Sequence, residues 1–168
     1  MTARPRRICV VVTSRPTYSR IRTALAAIRA HPDLELQLVV AASALLSRYG
    51  GTAEQIERDG FEIAARAQTV VEGEDHGAMA KTTGLGILEL STVLDGLHPD
   101  AVVTVADRYE TLATAVAAAY LHIPLVHIQG GEVSVTIDEN VRHAVTKLSD
   151  LHLVATEGAR ARVIRLGE

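Results

Sequence analysis

Residues Pro99–Val133 read PDAVVTVADRYETLATAVAAAYLHIPLVHIQGGEV. Two short aliphatic runs, Ala101–Val105 and Pro124–Ile128, flank a longer stretch, Tyr109–Leu121, that is apolar almost all round. The runs are rich in β-branched residues and do not alternate with polar ones, as strands buried on both faces of a parallel sheet do not. Each run ends in a polar break, Asp107-Arg108-Tyr109-Glu110 after the first and Gln129-Gly130-Gly131-Glu132 after the second. Strand, break, helix, strand is the repeating unit of a parallel α/β sheet, and its crossovers are right-handed.

The same unit extends in both directions. Ile8–Thr13, Leu34–Ala41 and Leu151–Ala155 read as further strands, and Phe61–Ala65 as a weaker edge strand. The partial alternation of Leu34–Val40 places it nearer an edge. Tyr18–Ala30, Gly77–Leu97, Asp138–Leu148 and Glu157–Leu166 carry apolar residues at helical spacing, with a soft point at Gly84 and Gly86 and with Asp138 suited to an N-cap. The reading is a doubly wound, Rossmann-like α/β domain with helices on both faces of a mostly parallel sheet. The all-round apolar Tyr109–Leu121 is either a central helix packed under its neighbours or one whose outer face is a subunit interface.

Size and composition bound the rest. The chain has 168 residues, 48% apolar and 22% charged, the composition of one globular domain spanning residues 1–168. A net charge of −3 argues against a nucleic-acid or anionic-membrane binder. The single cysteine, Cys9, leaves neither a disulfide framework nor a cysteine zinc site. No apolar run reaches the roughly 20 residues of a membrane span, and Ile8–Val12, which follows the basic Met1–Arg7, is short for a secretory signal and lacks a small-residue cleavage site, so the expected compartment is the cytoplasm. The seven histidines, His31, His76, His98, His122, His127, His143 and His152, are scattered without metal-ligand spacing, and no metal is expected.

In open parallel sheets ligands bind beyond the carboxyl ends of the strands, and polar residues crowd that edge here. The first break lacks both G-x-G-x-x-G and a Walker loop; Arg15 opens a helix instead, either as a phosphate ligand or as a surface arginine at a turn. Asp107 is either a helix cap or a catalytic carboxylate. Gly130-Gly131 is either a plain turn or backbone brought close to a ligand. Asp138 with Arg142, and Glu139 with His143, stand at i,i+4 spacing, which suits intrahelical pairs, while an acid or base at Asp138 is the sharper alternative. His127 is either a satisfied core histidine or a ligand contact.

Four stretches, ICVVVTSRPTYSRIRTAL, MAKTTGLGI, PDAVVTVADRYETLATAVAAAYLHIPLVHIQGGEV and TIDENVRHAVTKLSDLHLVATEGARARVIRLGE, together resemble the hydrolysing UDP-N-acetylglucosamine 2-epimerases, especially their sialic-acid-pathway branch. The order and spacing of ADRYE, HIQGGE and IDENVRHAVTKLS carry the resemblance. It implies one half, the N-terminal one, of a two-domain glycosyltransferase-like architecture with the site between the halves. It implies C2 deprotonation, departure of UDP and addition of water to give N-acetylmannosamine, with no cofactor. By position it assigns Asp107 and Asp138 to the acid–base work. Arg15, Ser19 and Arg108 match nucleotide contacts, and His127, Glu132, Arg142 and His143 belong to shared motifs. A UDP-sugar is the implied substrate and a homodimer the implied assembly.

The chain departs from the family pattern at Ala106 and Val135, where glycine is usual, and at Gln129, where many members carry a catalytic glutamate. An amide is neither acid nor base, so Glu132 compensates or the chemistry weakens. The alternative function is a non-catalytic or partner-dependent sugar-nucleotide-binding domain, completed, if at all, by a separate C-terminal half. A glycosyltransferase of similar build is a third reading.

Overall fold

The computed structural model describes residues 4–73, 75–105 and 108–168. Six strands form one sheet in the order β3-β2-β1-β4-β5-β6, and every neighbouring pair is parallel. The strands are β1 (Arg6–Val12), β2 (Leu34–Ala41), β3 (Ala65–Ala67), β4 (Ala101–Val105), β5 (Leu125–Ile128) and β6 (Leu151–Leu153). Between and after them run α1 (Arg15–Ala30), α2 (Thr52–Arg58), α3 (His76–Leu97), α4 (Thr111–Tyr120), α5 (Ile137–Lys147) and α6 (Glu157–Arg165).

The continuous aliphatic runs are explained by burial on two sides. In β1, Cys9 and Val11 enter a cluster with Leu90 and Leu94 of α3, Ala113 and Ala117 of α4 and Val145 of α5. Val10 and Val12 enter the opposite cluster with Ile21 and Leu25 of α1 and Ile56 of α2. Alternate residues of a strand point to opposite faces, so a sheet covered on both needs apolar residues at every position. β2 lies one strand in from the edge formed by β3, as its partial alternation suggested.

Four local expectations change. The edge strand is Ala65–Ala67, not Phe61–Ala65: Phe61 turns into the core against the edge of the Tyr18 ring, and pairing begins where the Ala64 N–H donates to the Leu38 carbonyl. The Thr52–Arg58 helix was missed because its seven residues present too short a pattern. α3 runs unbroken through Gly84 and Gly86; a Cβ on Gly86 would stand 2.8 Å from the Ala113 Cβ, so this glycine lets α3 and α4 approach closely. Asp138 is not the cap of α5. Thr136 holds that place, its Oγ1 accepting from the Asp138 N–H, which frees the Asp138 carboxylate for another contact.

α4 lies between α3 and α5 with most of its alanines buried, while Leu112, Val116 and Ala119 stay half-buried. Tyr120 at its end is exposed. Among the described residues no helix is long and apolar enough to cross a membrane.

Candidate functional site

The chain winds outward from β1 to β2 and β3, then returns to β4 on the other side of β1. This reversal leaves a crevice between the loops that follow β1 and β4, where open α/β sheets take their ligands. A cavity of about 530 Å³ opens there. Its walls are Ser14, Arg15 and Pro16 after β1, Ser43, Arg48 and Tyr49 after β2, residues 70–73, and Arg108, Tyr109 and Glu110 after β4.

Each wall has a local reason for its position. Ser14 caps α1, its Oγ accepting from the Thr17 N–H at 3.4 Å, and Pro16 sits in the first turn, where no intrahelical donor is required. Arg15 is thereby held at the helix mouth with its side chain exposed. The Ala44 N–H and the Ser43 Oγ both donate to the Thr13 carbonyl at 3.0 Å, tying the turn after β2 to the end of β1. Gly50, at φ +101°, passes beside Arg15, and a Cβ there would meet its Cδ and Nη1 at 3.3 Å.

Arg108 is anchored by Glu110, whose side chain is only 3% exposed. Nε donates to Oε2 at 3.1 Å and Nη2 to Oε1 at 3.2 Å, a two-pronged contact that fixes the plane of the guanidinium. Burial works against the Arg108 charge; Glu110, then Tyr109 and Asp138, outweigh it and raise the pKa. Behind Arg15 a second cavity of about 370 Å³ contains Tyr18, Ser19, Arg22, Gln55 and Asp59. There the Tyr18 hydroxyl donates to Asp59 Oδ2 at 2.5 Å, Gln55 donates to Oδ1 at 2.8 Å, and Arg22 pairs at 3.1 Å. Burial, then the Asp59 contact, raises the Tyr18 pKa, while the Tyr18 hydroxyl foremost lowers that of Asp59. Ser19 borders this second cavity, its Oγ donating back to the Arg15 carbonyl.

The remaining expected residues surround the loop between β5 and α5. Asp138 Oδ1 accepts from the Tyr109 N–H at 3.2 Å, which joins α5 to the cavity wall. Arg142 is 2% exposed; it donates to the Glu132 carbonyl at 2.5 Å and to Ser134 Oγ at 3.4 Å. Glu139 accepts from the Ser134 N–H at 2.6 Å. Arg142 and Glu139 thus secure the loop from below, and this, not an i,i+4 pairing, is what the contacts of Glu139 serve. His127 is fully buried in β5 with Nδ1 3.4 Å from Thr146 Oγ1. Gln129 has φ +68° and donates its N–H to Leu153, and His143 lies half-buried on α5; neither lines the cavity.

Gly130-Gly131 have a packing reason for being glycine. A Cβ on Gly131, at φ +76°, would stand 2.4 Å from the Ala159 carbonyl of α6, and one on Gly130 would press on the His127 ring at 3.0 Å. Asp107, with Ala106, lies outside the described residues. Arg48, Tyr49, Glu72 and Glu110 were missed as site residues. Applying the strand-end rule to β2, as it was applied to the other strands, would have found Arg48 and Tyr49. Among the described residues, no three His, Cys, Asp or Glu side chains are grouped to hold a metal ion.

What gathers at the crevice is guanidinium charge on three walls, a buried carboxylate, and a further carboxylate bonded to the wall. Such a set binds an anion by paired N–H donors and leaves a carboxylate near it for proton transfer.

Comparison with known proteins agrees with this reading. The family model described as UDP-N-acetylglucosamine 2-epimerase matches residues 26–168. The chain is 40% identical over 163 residues to the UDP-N,N'-diacetylbacillosamine 2-epimerase (hydrolyzing) of Legionella pneumophila, covering 97% of this chain and 43% of that protein. It is 36% identical to the UDP-N-acetylglucosamine 2-epimerase of Neisseria meningitidis, covering 97% and 42%. The solved structure of a Neisseria meningitidis UDP-GlcNAc 2-epimerase bound to UDP-GlcNAc shares the fold with a TM-score of 0.83 at 19% identity, over 96% of this chain and 44% of that one. A crystal structure of another UDP-N-acetylglucosamine 2-epimerase superposes with a TM-score of 0.88 at 17% identity, covering 98% and 46%. The chain therefore spans less than half the length of the relatives it matches. With the family model covering most of its residues and the site at the expected crevice, the chain belongs to the UDP-N-acetylglucosamine 2-epimerase family.

Proposed function

We propose that this chain is the N-terminal half of a hydrolysing UDP-N-acetylglucosamine 2-epimerase and that its crevice takes the UDP-sugar. The observation that carries the proposal is the convergence of Arg15 and Arg108 on one cavity, with Asp138 bonded to its wall through Tyr109. Arg15 and Arg108 meet the diphosphate. A carboxylate of the pair Asp107 and Asp138 takes the C2 proton as the C1–O bond to UDP breaks, and the electron pair of the C–H bond becomes the C1–C2 double bond. Water then adds across that bond, hydroxyl to C1 and proton to the opposite face of C2, giving N-acetylmannosamine and free UDP. A carboxylate contributes about 10²–10⁴-fold in such proton transfers. Enclosure by a second α/β half would dry the site and strengthen each contact.

The test is UDP release from UDP-N-acetylglucosamine by the protein, supplied with its second half if that is a separate chain. Turnover that disappears in Asp107→Asn is expected; turnover unchanged by that substitution would overturn the assignment. Gln129, placed where many family members carry glutamate, favours a second reading: a domain that holds a sugar nucleotide without turnover. UDP binding with no UDP release in the completed protein would select it. The half-buried strip Leu112, Val116 and Ala119, ending at exposed Tyr120 on α4, supports a homodimer, which light scattering at tens of micromolar would refute by finding a monomer. The proposed compartment is the cytoplasm.

A further inference from the structure

The three guanidiniums that line the main cavity are held differently. Arg108 is fixed by two prongs of a buried carboxylate. Arg15 makes no ion pair among the described residues and lies against Gly50. Arg48 pairs with Glu72 at 2.8 Å, but both side chains are open to water, 51% and 83% exposed. An ion pair so open to water is weakly held, so Arg48 can leave Glu72 at little cost, whereas Arg108 leaving Glu110 would strand a buried carboxylate. Arg48 also has space to move. It borders a third hollow, also of about 370 Å³, with Leu46, Ser47, Val70 and Glu72, and its guanidinium already lies 5.2 Å from the centre of the Tyr49 ring.

We infer that Arg48 is a reserve anion-binding residue, kept at the cavity by Glu72 and exchanged from that carboxylate to a phosphate of the bound nucleotide. Glu72 acts as a stand-in for the ligand: it occupies Arg48 while the crevice is empty and competes with the phosphate when one arrives. The inference rests on the proposal that the crevice takes a nucleoside diphosphate sugar, and it adds a residue and a competing internal anion to that reading.

Calorimetric titration with UDP tests it in wild type, Arg15→Ala, Arg48→Ala, Glu72→Gln and the double variant Arg48→Ala/Glu72→Gln. Arg48→Ala should weaken UDP about tenfold, as loss of a charge-assisted contact does. Glu72→Gln should strengthen it about two- to fivefold by releasing Arg48. The double variant should match Arg48→Ala, because Glu72 works through Arg48. If Glu72→Gln still strengthens binding when Arg48 is absent, Glu72 acts only as a repelling charge and the exchange is overturned. If neither variant changes affinity while Arg15→Ala weakens it, Arg48 is outside the site and the cavity reading stands. If wild type binds UDP and Arg15→Ala binds equally well, or if wild type binds none, the cavity reading itself fails and this inference with it. Both altered side chains are exposed, so thermal midpoints should stay within a few degrees of wild type.

Discussion

Asp138 of α5 accepts a hydrogen bond from the backbone N–H of Tyr109, twenty-nine residues earlier and just ahead of α4. One carboxylate therefore both fixes the cavity wall and carries negative charge to it. Asp138→Asn separates the two roles, because the amide oxygen can still accept from Tyr109. UDP release should fall about 10²–10⁴-fold with little change in thermal midpoint. Activity retained in Asp138→Asn but lost in Asp138→Ala would make the residue a brace only.

Gly131 tests the packing reading of the paired glycines. Its φ of +76° and the 2.4 Å approach a Cβ would make to the Ala159 carbonyl leave no room for a side chain. Gly131→Ala should cost about 1–3 kcal/mol from overpacking alone, with the left-handed backbone adding to it. Gly84→Ala is the contrast. Beyond its own helix backbone and chain neighbours nothing lies within 4 Å of a Cβ there, and the residue is helical, so a gain of about 0.5–1 kcal/mol is expected. Equal effects in chemical denaturation would refute the distinction.

The Tyr18–Asp59 contact predicts a limb of acid sensitivity. Asp59 is held below its ordinary 3.8 by the Tyr18 hydroxyl first, with Gln55 and Arg22 adding to it. The unfolded chain binds the proton more readily, so the contact stabilises the fold above about pH 4 and is lost as pH falls through the lower folded value. Thermal midpoints of Asp59→Asn should therefore decline less steeply than wild type below pH 4. Superimposable acid limbs would show that the contact adds nothing.

Cys9 reports on the centre of the sheet. It is fully buried in β1, and burial pushes its thiol up to about 12. Iodoacetamide at pH 8 should label it only as fast as the domain unfolds globally, because the thiolate is the nucleophile and β1 has neighbours on both sides. Labelling that outpaces unfolding measured by circular dichroism would mean that β1 opens locally.

Much of the site was legible because one rule reads it: polar residues that follow a buried strand in a parallel sheet share an edge. Arg15 and Arg108 follow β1 and β4 and do line one cavity. The individual roles were less legible. Arg142 stands in a chemistry-bearing motif, and only the fold shows it buried with its guanidinium on the Glu132 carbonyl of the loop before α5. The double glycine left a turn and a ligand approach both open, and only the fold shows that it also makes room for α6 and His127. Arg48 stands in a stretch of short turns without periodicity, and only the folding of those turns against the end of β1 brings it to the cavity.

The sequence by itself determined the alternation of strand and helix, the burial of the central strands β1, β2 and β4 on both faces and the edge at which chemistry collects, because these depend on residue periods a few positions long. Only the tertiary structure decided which guanidiniums share a cavity, which carboxylates already hold them, and whether a glycine faces a ligand or a helix. Those outcomes depend on β4 returning to lie beside β1, and strand order is a property of the whole packed chain that no local pattern encodes.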